Sequence, residues 1–474
     1  MTEKITTDLC VIGAGSGGLS VAAGASQMGA NVVLLERDKM GGDCLNFGCV
    51  PSKSLLAAGH AAHIMRSAAR FGIKVAEPVI DHQALRDHVQ GVIAAIAPHD
   101  SQERFEGFGV RVIREEGRFV GPRTIAAGDY EITAKRTVIA TGSSPAVPPI
   151  PGLADSPFFT NETIFDNDRA IAHLLVIGGG PIGLELAQAH ARLGAKVTVL
   201  EGFKALGNDD PELAAIVKQC LAAEGIEIHE GAQVNRVTSA AGALMVEAEI
   251  DGASRAFQGS HLLVAVGRTP NLEKLDLAAA EIETGRDGIV VDARLRTSNK
   301  KVFAVGDAAE GYKFTHIASY QAGIVIRNVL FRLPAKVDYR AVPWVTYTAP
   351  ELAQVGLTEQ AARAAHGDIT ILRASFADND RARAEGKTHG QLKVMTTRKG
   401  VVVGASMVGE KAGELIQSWC LPIAKGLKIK DIAGLILPYP TLGEINKRAA
   451  GSYYTPSLFS DRTRRIVRFL LSFG

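Results

Sequence analysis

At 474 residues, the chain has room for about three domains of ~150 residues each. Apolar residues make up 46% and charged residues 22%, which excludes a disordered or fibrous chain. Fifty-two Lys and Arg against fifty Asp and Glu leave a net charge of +2, too small an excess for a nucleic-acid footprint.

The first ten residues carry an acid among their bases and precede a glycine turn, so they do not read as a signal peptide. No run of apolar residues reaches the length of a membrane span, so none is expected. Cys10, Cys44, Cys49, Cys220 and Cys420 are too few for a secreted disulfide scaffold of this length. The chain therefore reads as cytoplasmic, and a close cysteine pair reads as catalytic rather than structural.

The first element is an apolar strand from Asp8 to Ile12, followed by a glycine turn, an Ala-rich helix and a second strand closing on Glu36. Gly13 permits the tight turn, Gly15 lets a pyrophosphate approach the backbone, and Gly18 lets the helix pack on the strand. Glu36 stands where an acid accepts hydrogen bonds from ribose hydroxyls.

Cys44 and Cys49 come next, with four residues between them. On a regular helix those five steps turn through about 500° and rise ~7.5 Å, so the thiols would point apart. A disulfide needs Cα atoms within ~7 Å, so the backbone is expected to leave regular geometry here. Gly48 and Pro51 supply the means, and a helix through Leu55 follows. A cysteine at that helix start has its thiolate favoured by the dipole and by Lys53.

The first pattern then repeats. His173 to Ile177 is an apolar strand; Gly178, Gly180 and Gly183 form the turn; and the second strand closes on Glu201. The spacing from first glycine to closing acid is 23 positions in both copies. Two dinucleotide sites in one chain point to one tight and one exchangeable cofactor, as in a hydride relay between FAD and a nicotinamide dinucleotide. Glu201 favours NAD(H) over NADP(H), although Lys204 lies close by. At the C-terminus, Ser457 to Gly474 projects as a helix with a broad apolar arc, and Arg464, Arg465 and Arg468 on its other face. Such a helix packs on its own dimer or lies on an anionic membrane surface.

From Gly41 to Lys53 the sequence reads GGDCLNFGCVPSK, close to the redox-active signature of the class I flavoprotein disulfide reductases, and the chain resembles that family over nearly its whole length. Dihydrolipoyl dehydrogenase, glutathione reductase and mercuric reductase are members. The resemblance implies an α/β fold with two Rossmann-like dinucleotide-binding domains and a C-terminal α+β dimerisation domain. FAD-binding segments are expected at 1–145 and 271–342, an NAD-binding segment at 146–270 and the dimerisation domain at 343–474. It further implies that Gly117, Thr141, Gly142, Asp307 and Thr315 lie near FAD, with Asp307 on a ribityl hydroxyl. Gly267 marks the return turn from the NAD domain, and Lys53 and Glu185 match the ion pair that the family places beside the flavin. Cys49 is then the cysteine nearer the ring, and Cys44 the one that exchanges with substrate. The family forms homodimers that share active sites, and no resident metal is implied.

One departure bears on substrate. Where the family's disulfide and dithiol enzymes carry His-Pro-Thr with a glutamate five positions after the His, this chain has Tyr439, Pro440 and Thr441, with Glu444 retained. With a reference pKa near 10 against ~6.5 for His, a Tyr is mostly protonated at neutral pH and is a poor proton acceptor. Mercuric reductase also carries a tyrosine there, but the C-terminal vicinal cysteines of that enzyme are missing from this chain. Three readings follow: a dihydrolipoyl-dehydrogenase-like disulfide or dithiol oxidoreductase, a metal-ion reductase, and a non-catalytic redox-sensing flavoprotein.

Overall fold

The computed structural model describes residues 2–240 and 242–473. They form two compact units, Met1–Gly202 with Gly231–Val337, and Phe203–Glu230 with Asp338–Gly474.

The first unit opens with β1 (Glu3–Ile12), α1 (Ser16–Gln27) and β2 (Val32–Leu35), the expected strand, helix and strand. Two helices follow, α2 (Gly42–Asn46) and α3 (Cys49–Ser67). Four further strands are β3 (Val110–Ile113), β4 (Arg118–Gly121), β5 (Thr124–Ala127) and β6 (Tyr130–Ile139). The sheet runs β3-β2-β1-β6-β5-β4, and the strand Val302–Ala304 also pairs with β6. β1 is parallel to both neighbours, with Leu9 opposite Val32 and Ile12 opposite Ile139. Cys10 and Ile12 pack into one layer with Val33 and Leu35, while Leu9 and Val11 pack into the other with Leu34 and Val110. A strand buried on both faces needs an unbroken apolar run, which the sequence around Cys10 supplies.

The second fingerprint builds its own parallel strands, His173–Ile177 beside Lys196–Glu201 and His261–Val264. Its helix, Pro181–Arg192, begins at the glycine turn. Gly13 and Gly178 sit at φ +104° and +112°, a region costly for any residue with a Cβ. A Cβ on Gly18 would lie 1.8 Å from the Gly13 carbonyl oxygen, and one on Gly183 2.1 Å from that of Gly178. Both turns are thus closed by the same two glycine requirements.

The second unit holds a five-stranded antiparallel sheet in the order Pro343–Thr346, Glu351–Gly356, Val402–Gly409, Gln391–Thr397, Ile369–Ser375. Trp419 is fully buried beside it, its indole N–H donating to Asn446 Oδ1 at 2.8 Å. Lys393 projects from the sheet into a buried cluster with Glu359 at 2.7 Å, Asp210 at 2.8 Å and Glu212 at 3.0 Å. Three carboxylates around one ammonium offset the cost of burying it and tie the Pro211–Ala223 helix to the sheet. Helices packed on an antiparallel sheet give this unit the expected α+β character.

The C-terminal helix is shorter than its sequence pattern implies. It spans Asp461–Leu471 instead of starting at Ser457, because Ser460 acts as its N-cap and accepts a hydrogen bond from the Thr463 amide at 3.2 Å. Leu458 and Phe459 fall in and just after a separate short helix, Thr455–Leu458.

Candidate active site

The expected break between the cysteines is real. α2 ends at Asn46, Phe47 and Gly48 leave helical geometry, and Cys49 opens α3. The reversal brings the two side chains within hydrogen-bonding reach of each other despite the five-residue step. Gly48 lets the chain pass close to Asp43, since a Cβ there would lie 2.8 Å from its Oδ2 and 3.1 Å from its carbonyl oxygen. Asn46 Nδ2 donates to the carbonyls of Met40 at 3.0 Å and Gly42 at 2.9 Å, fixing the turn from within.

Two side chains that the sequence reading left unused hold the loop from outside. Asn161, which is buried, donates to the Phe47 carbonyl at 3.1 Å. Arg268 Nη2 contacts Asp43 Oδ1 at 2.9 Å, while its Nε donates to Ser143 Oγ at 2.7 Å. Ser143 in turn donates to Asp307 Oδ2 at 2.6 Å, so one arginine links the residue before Cys44 to the acid expected at the ribityl chain. Arg268 directly follows Gly267 in the return turn, and that adjacency was the only signal available. Asn161 carries none, since it lies in an irregular segment far from any motif.

Electrostatics divide the two sulfurs. The Cys49 thiol is lowered to about 6, first by the hydrogen bond from Cys44 and then by Thr315 and the charge of Lys53, against burial and Asp43. The Cys44 thiol is raised, because it serves as the donor to Cys49 and is itself half-buried. Thr315, the first residue of the Thr315–Val329 helix, places its Oγ1 3.5 Å from Cys49 Sγ. Lys53 lies one helical turn after Cys49, so the two share a face of α3. Its ammonium meets buried Glu185 Oε2 at 2.8 Å. α3 reaches Glu185's helix closely enough that a Cβ on Gly59 would stand 3.1 Å from the Ala189 carbonyl oxygen. The structure therefore gathers Cys44, Cys49, Lys53, Glu185 and Thr315 around one helix start.

The two fingerprint acids behave alike. Glu36 Oε2 accepts from the Ala14 amide at 2.6 Å, and Glu201 Oε2 accepts from the Gly179 amide at 2.6 Å. Gly13, Glu36, Gly117 and Thr141 line a common cleft of about 530 Å³. Thr141 Oγ1 is buried there without a hydrogen-bond partner. A Cβ on Gly15 would meet nothing nearer than 3.9 Å, and one on Gly180 nothing within 4 Å, so both second glycines face open space. A cleft with a half-buried carboxylate, an orphaned hydroxyl and an open glycine turn fits the adenosine and pyrophosphate of FAD. Gly142 and Gly267, at φ +67° and +133°, flank the antiparallel pair Ser143–Pro145 and Arg268–Pro270.

Tyr439 and Glu444 belong to the second unit. The Tyr439 hydroxyl, exposed, donates to Asp380 Oδ2 at 3.1 Å, and this acceptor raises its pKa above the ordinary tyrosine value. Glu444 Oε2 accepts from the Thr441 amide at 3.3 Å. The tyrosine's partner is thus Asp380, which the motif comparison did not single out.

This combination of a paired-cysteine turn, a lysine paired to a buried glutamate and two dinucleotide turns defines a flavin- and nicotinamide-dependent thiol–disulfide oxidoreductase. The chain belongs to the pyridine nucleotide-disulphide oxidoreductase family, whose model matches residues 7–322, and the family's dimerisation domain matches 342–450. It is 34% identical over 446 residues to mercuric reductase of Staphylococcus aureus, covering 94% of this chain and 82% of that one. It is 35% identical over 459 residues to dihydrolipoyl dehydrogenase of Geobacillus stearothermophilus, covering 94% and 96%. Among solved structures, the Cu(II) complex of the HOCl-induced flavoprotein disulfide reductase RclA from Escherichia coli aligns with a TM-score of 0.83 at 27% identity, covering 93% and 99%. The protein is an enzyme of a family that depends on FAD and uses pyridine nucleotide.

Proposed function

We propose that this enzyme passes electrons from NADH through FAD to the Cys44–Cys49 pair and on to a small disulfide substrate. The observation that carries the reading is the asymmetry of the pair, with a stabilised thiolate at Cys49 and a proton-bearing thiol at Cys44. Gly13, Gly15, Glu36 and Asp307 would hold FAD, which would supply the two-electron link between the nicotinamide and Cys49. Breaking the S–S bond with those two electrons leaves the Cys49 thiolate, stabilised by Lys53 and Thr315, and a Cys44 sulfur that takes up a proton. Cys44, once deprotonated, attacks one sulfur of the substrate and expels the other as a thiolate. Cys49 then attacks Cys44 of the mixed disulfide, restoring the internal disulfide and releasing the second thiol. Lys53 and Glu185 act by position and charge, holding the cation beside the sulfur that bears the negative charge.

The reductive direction is favoured over dithiol oxidation by Tyr439. A hydroxyl raised above its ordinary pKa keeps its proton at neutral pH, so it does not serve as the base that dithiol oxidation needs. The same tyrosine supports a second reading, in which the acceptor is a soft metal ion bound by the two sulfurs and reduced by their electron pair. The experiment that separates the readings is anaerobic NADH-dependent turnover with lipoamide, glutathione disulfide, coenzyme A disulfide, Hg²⁺ and Cu²⁺ in parallel. Turnover of a disulfide alone supports the first reading, and turnover of a metal ion alone the second. Failure with all five overturns both.

For the nicotinamide, NAD(H) is favoured over NADP(H). Glu201 stands at the end of its strand, and Lys204, the nearest candidate for a 2′-phosphate, already pairs with Glu230 at 3.2 Å. Domain boundaries of 1–145 and 271–342 for FAD, 146–270 for NAD and 343–474 for dimerisation accompany this reading. In the proposed homodimer each subunit lends Tyr439 and Glu444 to the other's cysteine pair, and the enzyme works in the cytoplasm.

A further inference from the structure

We propose that the C-terminal helix Asp461–Leu471 docks the enzyme on an anionic lipid surface. This helix lies beyond residue 450, where the match to the family's dimerisation domain ends, and none of its residues is buried. At 100° per residue, Phe469, Ile466, Leu470, Val467 and Leu471 span an apolar arc of about 200°. Phe473 continues it, and its ring packs edge-on against that of Phe469 at 4.8 Å. These side chains are 46–73% exposed, so a broad face carrying two phenylalanines meets solvent in the isolated chain.

Charge decides what covers that face. Arg464, Arg465 and Arg468 fill the opposite arc, and Arg462 projects among the apolar residues between Phe469 and Phe473. Asp461, 3.7 Å from Arg464, is the sole acid from 461 to the C-terminus. Against a second copy of the same helix the two apolar arcs would meet, and each Arg462, inside the arc, would lose water with no acid of its own helix alongside it. Against anionic headgroups, the same arginines flank the inserted face, and Arg462 extends its guanidinium along its stem to a phosphate. No helix among the described residues is long and apolar enough to cross a membrane, so the contact is a surface one.

The test uses the full-length, FAD-loaded protein sedimented with vesicles of phosphatidylcholine alone or mixed with phosphatidylglycerol. The expected result is partitioning onto the phosphatidylglycerol vesicles at low salt and release at about 1 M salt, where the screening length falls to ~3 Å. Arg464→Gln with Arg468→Gln is expected to weaken partitioning about 30-fold. Leu470→Asp should abolish it, with flavin absorbance and NADH-dependent turnover retained in both variants. Absence of binding by the full-length protein at low salt overturns the proposal, as does undiminished binding by the arginine variant. If Leu470→Asp instead turns a dimer into a monomer in sedimentation velocity, a second copy covers the face and the proposal falls.

Discussion

At the start of α3 three groups favour a thiolate, whereas at Tyr439 the neighbouring groups keep a proton in place. Cys49 receives a hydrogen bond from Cys44, a contact from Thr315 and the field of Lys53, and its thiol falls to about 6. Tyr439 donates to Asp380, with Glu444 adding negative charge nearby, and its pKa rises. The first region thus favours a charged sulfur, while the second keeps its hydroxyl protonated. The contrast teaches that the two settings are built independently: one rests on a turn and a helix start, the other on a single side chain in a different unit.

The largest expected effect comes from breaking the first region. Cys49→Ser and Cys44→Ser each abolish disulfide turnover, while absorbance shows FAD still bound, because Gly13, Gly15, Glu36 and Asp307 are untouched. Wild-type turnover in either variant removes the pair from the mechanism.

Next is repair of the second region. Tyr439→His restores an imidazole with Glu444 nearby, and dihydrolipoamide oxidation at pH 8 is expected to rise by about 10²-fold, the lower end of what a general base contributes. An unchanged rate in a stopped-flow assay means that the pocket is shaped for something other than a small dithiol.

Two smaller effects sharpen the account of Cys49. Cys44→Ala removes the largest stabilisation of the thiolate and Lys53→Met a lesser one, so both raise the Cys49 pKa, the first by more. The thiolate is present above its pKa and lost as pH falls through it. The midpoint for loss of thiolate absorbance therefore moves from about 6 towards neutral pH in both variants. A larger shift in Lys53→Met than in Cys44→Ala would reverse the assigned order of causes.

Much of this was legible in the sequence because it rests on local backbone chemistry. Gly13 and Gly178 are needed where φ is positive, and Gly18 and Gly183 where a carbonyl comes too close for a Cβ. The break before Cys49 followed from helix geometry together with the short reach of a disulfide. What escaped was carried by contacts distant in sequence. Asn161 holds the cysteine loop from 114 positions away, and Asp380 meets Tyr439 across 59. Neither partner has a periodicity or spacing that marks it. The C-terminal helix shows the opposite error, since its apolar pattern ran through Phe459, which ends one short helix, and Ser460, which caps the start of the next.

The most direct test of the proposed relay is an anaerobic titration of the FAD-loaded enzyme with one equivalent of NADH, followed by absorbance between pH 4.5 and 9. The relay predicts a long-wavelength thiolate–flavin band with a midpoint near 6 in the unaltered enzyme and none in Cys49→Ser; in Cys44→Ser, which has no disulfide to take the electron pair, a band present before NADH is added is lost as the flavin is reduced. A band that survives in Cys49→Ser, or none at any pH in the unaltered enzyme, contradicts it.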